Sequence, residues 1–106
     1  MKVPQSKIPE WDGNESRLLQ WVDDMFELAH VNIGMSQALG AVAHLHLKGR
    51  AKKWWSMLRH NVKVELSTDW THFFEGIRLH WFTPDFLTRL QQQYDSQSFQ
   101  IGRAHV

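Results

Sequence analysis

The sequence predicts an all-α domain, a compact bundle of about five helices, and three observations lead there. Apolar residues recur at i, i+3, i+4 and i+7 in separate segments, helix-start residues stand just before those segments, and the one alternating stretch has no second strand to pair with. A chain of 106 residues allows one domain, which at that size buries roughly 60 to 70% of the surface its unfolded form exposes.

The elements follow in order. Residues 1–13 carry Pro4, Pro9 and the turn-like Asp12-Gly13-Asn14, and read as an extended lead-in with Trp11 folded back onto the core. From Glu15 to about His30, Leu18, Leu19, Trp21, Val22, Met25, Phe26, Leu28 and Ala29 cover half a helix, against Gln20, Asp23, Asp24, Glu27 and His30 on the other half. So wide an apolar arc predicts packing on two sides. Asn32-Ile33-Gly34 interrupts, and Ser36 can cap a second, alanine-rich helix running to about Leu47 and largely buried. After Gly49, the stripe Ala51, Trp54, Trp55 and Leu58 predicts a third helix ending near His60-Asn61.

Val62 to Leu66 alternates polar and apolar residues and reads as a link. Ser67-Thr68-Asp69 then opens a fourth helix with the clearest stripe in the chain, Trp70, Phe73, Phe74, Ile77 and Trp81. Thr83-Pro84-Asp85 places Pro at a first helical position and an acid in the first turn, predicting a fifth helix through Phe86, Leu87, Leu90 and Tyr94. Leu79 and Phe82 fall off the fourth stripe, either beneath the fifth helix or as an exposed patch. The helical domain is expected over 14–99. Residues 101–106, Ile-Gly-Arg-Ala-His-Val, continue no period and match an in-frame reading of a sequencing adapter, so they are read as a non-native tail.

Composition narrows the function classes. Six Trp, six Phe and one Tyr supply core material, and 42% apolar with 22% charged residues is an ordinary globular balance. With no cysteine there is no disulfide scaffold, thiolate nucleophile or thiolate zinc site, which favours an intracellular, cytoplasmic setting. Ala38 to Leu47, the most apolar stretch, is far shorter than the roughly 20 residues a membrane span requires. No partner membrane is expected.

Chemistry-bearing constellations are sparse. His44 and His46 at i, i+2 point to different sides of a helix, and His72 and His80 lie two turns apart, so no metal is expected, and His46 reads as a hydrogen-bonded core histidine. No phosphate loop, zinc-protease motif or nucleophile elbow occurs, so no catalytic residue and no cofactor is assigned. Charge is more informative than any motif: residues 1–30 hold six acids and three bases, whereas residues 48–63 hold six bases and no acid. Such polarity suits a polyanion or head-to-tail contact between copies. Lys48, Arg50, Lys52 and Lys53 beside Trp54 and Trp55 admit a nucleic-acid-binding helical module as the alternative function. Because both indoles share a stripe with Ala51 and Leu58, they read as core, with the lysines as a basic edge.

Together these residues resemble the capsid region of Gag polyproteins from gypsy-type LTR retrotransposons and the domesticated proteins derived from them. The likeness runs over about residues 8–99: Ile8-Pro9-Glu10-Trp11-Asp12-Gly13, Trp21 to Leu28, Leu47-Lys48-Gly49-Arg50-Ala51 with Trp54-Trp55, Trp70 with Phe73 and Phe74, then Leu90 to Ser98. Two departures stand out: Trp81 replaces a simpler apolar residue, and the closing Ser-Val-x-x-Tyr-like element breaks off at Ser98-Phe99-Gln100. The resemblance implies a lobe like the N-terminal one of retroviral-type capsids, self-associating in the full-length protein into a shell around the element's RNA. It implies no enzymatic activity, with RNA contact through a downstream zinc knuckle that this cysteine-free chain does not contain. Trp54, Trp55, Trp70 and Phe74 are then the fold-defining core, and Asp23, Asp24 and Glu27 of the first helix and Lys48, Arg50, Lys52 and Lys53 of the basic edge are the candidate assembly surfaces.

Overall fold

Four helical segments begin where a side chain accepts one of their first free N–H groups. Asn14 Oδ1 accepts from Ser16 N at 3.0 Å and opens a 3₁₀ turn, Glu15–Arg17, which leads into α1, Leu18–Ala29. Asn32 Oδ1 accepts from Met35 N at 2.8 Å and opens α2, Ile33–Val42. Asp69 Oδ1 accepts from His72 N at 2.8 Å at the head of α5, Trp70–Trp81, and Thr83 Oγ1 accepts from Phe86 N at 3.1 Å at the head of α6, Pro84–Arg103. Between α2 and α5 lie a 3₁₀ turn, Ala43–His46, then α3, Gly49–Ser56, and α4, His60–Leu66. The computed structural model describes residues 8–103, with side chains over 8–93. Residues 1–7 of the lead-in and 104–106 of the tail lie outside the described residues, and α6 itself spans 101–103.

The all-α class holds, with six α-helices among the described residues where five were expected. The addition is α4, read from its alternation as a link. Seven residues are too few to form a stable helix alone. Packing on α5 supports it, with Leu66 set against Gly76. Three boundaries also differ. Asn32, not Ser36, caps α2, because Gly34 is accommodated inside the helix. The α-helical part of α2 ends at Val42 and tightens into the 3₁₀ turn, and only Leu39 and Gly40 are buried within it while Ile33 is 79% exposed, so the expectation of a largely buried helix fails. A single small-residue face suffices for α2 to lie between α1 and α5. Helix α3 stops at Ser56, with Leu58 packing on the core from beyond its end.

The lead-in is part of the domain. Trp11 forms a parallel bridge with Leu47, donating to His46 O at 3.1 Å and accepting from Lys48 N at 2.8 Å. Asp12 O accepts from Arg50 N at 3.1 Å, so backbone rather than a side chain caps α3. Gly13 and Gly49, at φ +95° and +50°, allow this approach: a Cβ on Gly49 would stand 3.0 Å from Asp12 O, and one on Gly13 2.9 Å from Ala51 N. The Leu-Lys-Gly-Arg-Ala segment thus has a structural reason. Its glycine and fully buried Ala51 seat the lead-in on the start of α3.

All six tryptophans close into one circuit of ring contacts: Trp11 to Trp81, Trp54, Trp55, Phe73, Trp70, Trp21 and back to Trp11. The circuit ties the lead-in to α1, α3 and α5, with offset and edge-to-face geometries that aromatic quadrupoles favour.

Candidate functional site

The tryptophans expected in the core are there. Trp54, Trp55 and Trp70 are buried, whereas Phe74 is half-buried at the core's edge, between Phe26, Trp70 and Phe82. Phe82 packs against Phe86 of α6, and Leu79 stays exposed, so the two residues off the α5 stripe divide between cover and solvent. His46 is buried as expected, close to Leu47.

The acidic surface is built on α1. Asp23 and Glu27 are exposed and, with Phe26 and His30, line a groove of about 320 Å³. Phe26 floors it at 38% exposure, because its ring rests edge-on against Trp70 and Phe74 and cannot sink further. Asp24 turns aside: it is half-buried, accepts from Gln20 Nε2 at 2.9 Å and lines a second hollow with Pro9 and Leu28.

The basic residues separate into two roles. Arg50 is internal in function: Nη2 donates to Gly13 O at 2.8 Å, and its guanidinium carbon lies 5.9 Å from the centre of the Trp81 ring. Lys48 pairs with Glu10 at 3.5 Å, a solvated contact of little energetic weight. Lys52 and Lys53 are exposed, and no described carboxylate lies within ion-pair distance of either. Arg50→Lys is expected to lower stability by about 1 kcal/mol, through loss of the directed hydrogen bond to Gly13 O and a weaker cation–π contact with Trp81. Lys53→Ala should stay within about 0.5 kcal/mol of the parent. Urea denaturation of both variants checks the contrast.

Lys63 closes the basic edge that the sequence places over residues 48–63. Next to this edge, the His44 imidazole lies flat on Trp55 of α3 with ring centres 5.1 Å apart. Burial, then the charges of Lys52 and Lys63, hold His44 below the ordinary imidazole range. Its Nδ1 is buried without a hydrogen-bond partner among the described residues. Burial also lowers His46, with Glu10 opposing and Lys48 assisting. Protonating either histidine therefore favours the unfolded chain. Their stability contribution is complete above the unfolded imidazole value and declines as pH falls below about 6.5. Exposed His72, raised by its hydrogen bond to Asp69, acts in the opposite sense. His44→Phe keeps the stack on Trp55 but removes one titrating group, so the drop in urea midpoint from about pH 7 to about pH 5 should be smaller than in the parent.

At the head of α5, burial tends to raise the Asp69 carboxyl, but hydrogen bonds from His72 outweigh it and hold the group below the usual carboxylate range. This is capping chemistry. Among the described residues, no three His, Asp or Glu side chains come together as a metal site, and no helix is long and apolar enough to cross a membrane. Comparison of the chain with protein families, curated proteins and solved structures finds no match.

Proposed function

We propose that this chain is a structural domain of Gag-capsid type, which self-associates and, in its full-length protein, forms a shell around a retrotransposon's RNA. One observation carries the reading: a closed aromatic core presents exposed acids, Asp23 and Glu27, on α1 and exposed bases, Lys52 and Lys53, on α3, two unlike sets of charges suited to heterologous contact. RNA is engaged indirectly, by a further segment of the protein, and the site of assembly is the cytoplasm. No catalytic step or cofactor is assigned.

Sedimentation of the purified chain across concentration and salt tests the proposal. Reversible association that weakens as salt rises is expected, because solvated charges are screened beyond about 10 Å at 0.1 M ionic strength. A chain that remains monomeric at every concentration and salt overturns it. The second reading, a nucleic-acid-binding module, is favoured by exposed Lys52 and Lys53, which have no described carboxylate within ion-pair distance, and predicts steep, salt-dependent affinity for mixed-sequence RNA. Negligible RNA affinity with retained self-association separates the two.

A further inference from the structure

From helix register and charge together, we infer that the α1 groove of one copy receives Lys53 and Met57 from the outer side of α3 in a second copy. The inference rests on the self-assembly reading and gives it a point of contact. Among the bases near the head of α3, Lys48 and Arg50 are already engaged within the chain, by Glu10 and by Gly13 O with Trp81. Lys53 is exposed, with no described carboxylate within ion-pair distance.

Backbone geometry fixes both surfaces. Ala51, Trp54 and Trp55 turn one side of α3 into the core, which leaves Lys53 and Met57 outside it. Met57 N donates to Lys53 O at 3.2 Å, so the two residues are i, i+4 neighbours on one side of the helix, and Met57 is 77% exposed. A cation and a bare thioether therefore stand one turn apart. On α1, Asp23 and Glu27 form one i, i+4 pair, and Phe26 and His30 form another, with His30 N donating to Phe26 O at 2.8 Å. These four residues together line the groove of about 320 Å³.

The two surfaces match group for group. One ammonium can sit between two carboxylates a turn apart while the thioether meets the Phe26 ring, a contact that sulfur and aromatic edges favour. Trp70 and Phe74 hold that ring at the surface, and Met57 supplies cover that the fold itself does not. A phosphate backbone in the groove would be repelled by Asp23 and Glu27 and would leave the ring wet. The groove and the α3 side share no residue, so each copy can give one contact and accept another. So small a contact falls well short of the roughly 1,600 Å² of a standard interface, and the association it drives is expected to be weak.

Zero-length carbodiimide coupling, which joins a lysine to a carboxylate only where the two meet, tests the pairing on the unaltered chain. In a mixture of isotopically light and heavy copies, peptides that link Lys53 of one label to Asp23 or Glu27 of the other are expected. Sedimentation supplies the energetic test. Lys53→Glu should weaken self-association by about tenfold or more and Met57→Ser by about threefold, whereas Lys63→Glu, the same charge change on α4, should alter it by less than about twofold. Mixing Lys53→Glu with a variant carrying Asp23→Lys and Glu27→Lys should recover association. Cross-links between copies confined to other residues, parental association in Lys53→Glu, or equal losses from Lys53→Glu and Lys63→Glu overturn the inference while leaving self-assembly standing. Association removed by nuclease assigns the α3 surface to nucleic acid and overturns it as well. A parent chain that never associates removes this inference and the assembly reading together.

Discussion

Replacing Trp11 by alanine is expected to cost about 3–5 kcal/mol, the range for emptying a large aromatic site in a packed core. The indole is 1% exposed, stacks on Trp21 with ring centres 5.5 Å apart, and meets Trp81 edge-on at 4.8 Å. Its Nε1 donates to Asn14 O at 2.9 Å, at the start of the helical region. Loss of the ring opens the tryptophan circuit between α1 and α5 and loosens the strand-like pairing that holds Leu47 and the head of α3. A domain of this size has only about 5–15 kcal/mol of total stability, so the variant should be close to unfolding at room temperature. Trp11→Phe keeps a stacked ring but gives up the Nε1 hydrogen bond to Asn14 O, which still accepts from Arg17 N at 3.1 Å, and should lose only about 1 kcal/mol. Urea titration followed by tryptophan fluorescence distinguishes them. A shift below about 1 kcal/mol for Trp11→Ala would mean that the lead-in does not belong to the cooperative core.

The sequence made the helices legible where periodicity and capping agreed. For α5, the stripe from Trp70 to Trp81 and the cap at Asp69 coincide, and both the element and its start follow from local chemistry. The same holds for Thr83-Pro84-Asp85 at the head of α6. Helix α4 was hidden because Val62, Val64 and Leu66 alternate over a segment shorter than two full helical repeats, and two of them are β-branched. Only docking against α5 selects the helix. The cap of α2 was misplaced for a related reason: Asn32 and Gly34 each look like a breaker locally, yet Asn32 can accept from Met35 N only once the chain has turned into the helix.

The candidate surfaces were legible in part. Charge counts identified an acidic first helix and a basic middle, and Asp23, Glu27, Lys52 and Lys53 are exposed accordingly. Whether a given lysine is available to a partner depends on contacts between distant segments, which no local pattern encodes. Arg50 turns back to the carbonyl of Gly13, 37 positions away, while exposed Lys52 has no described carboxylate within ion-pair distance. The basic run therefore contains a structural arginine, Arg50, and solvent-facing lysines, Lys52 and Lys53, within a few residues of each other.

Gly40→Ala is expected to be the most damaging single-methyl change in the chain. Gly40 lies on the buried face of α2, against the residue that caps α5, and a Cβ there would stand 2.2 Å from the carbonyl carbon of Asp69, 2.3 Å from its Cα and 2.5 Å from its carbonyl oxygen. All three are backbone atoms at a helix start held by the Asp69 to His72 hydrogen bond, so no rotamer change relieves the overlap. Alanine's higher helix propensity returns only about 1 kcal/mol. Separating α2 from α5 would also disturb packing around Leu39, Ala43 and Trp70, all fully buried, and a net loss of about 3 kcal/mol or more should follow. Gly76→Ala supplies the control. Its added Cβ meets side chain rather than backbone, Leu66 Cδ1 at 2.5 Å, Cδ2 at 2.9 Å and Cγ at 3.2 Å, which the seven-residue α4 can accommodate by shifting, and the same propensity gain applies. Its net loss should stay below about 2 kcal/mol. Thermal and urea unfolding of the two variants should therefore differ widely, although each adds one methyl group to a helix. Equal losses would show that backbone contact between α2 and the head of α5 is not what makes glycine necessary at position 40.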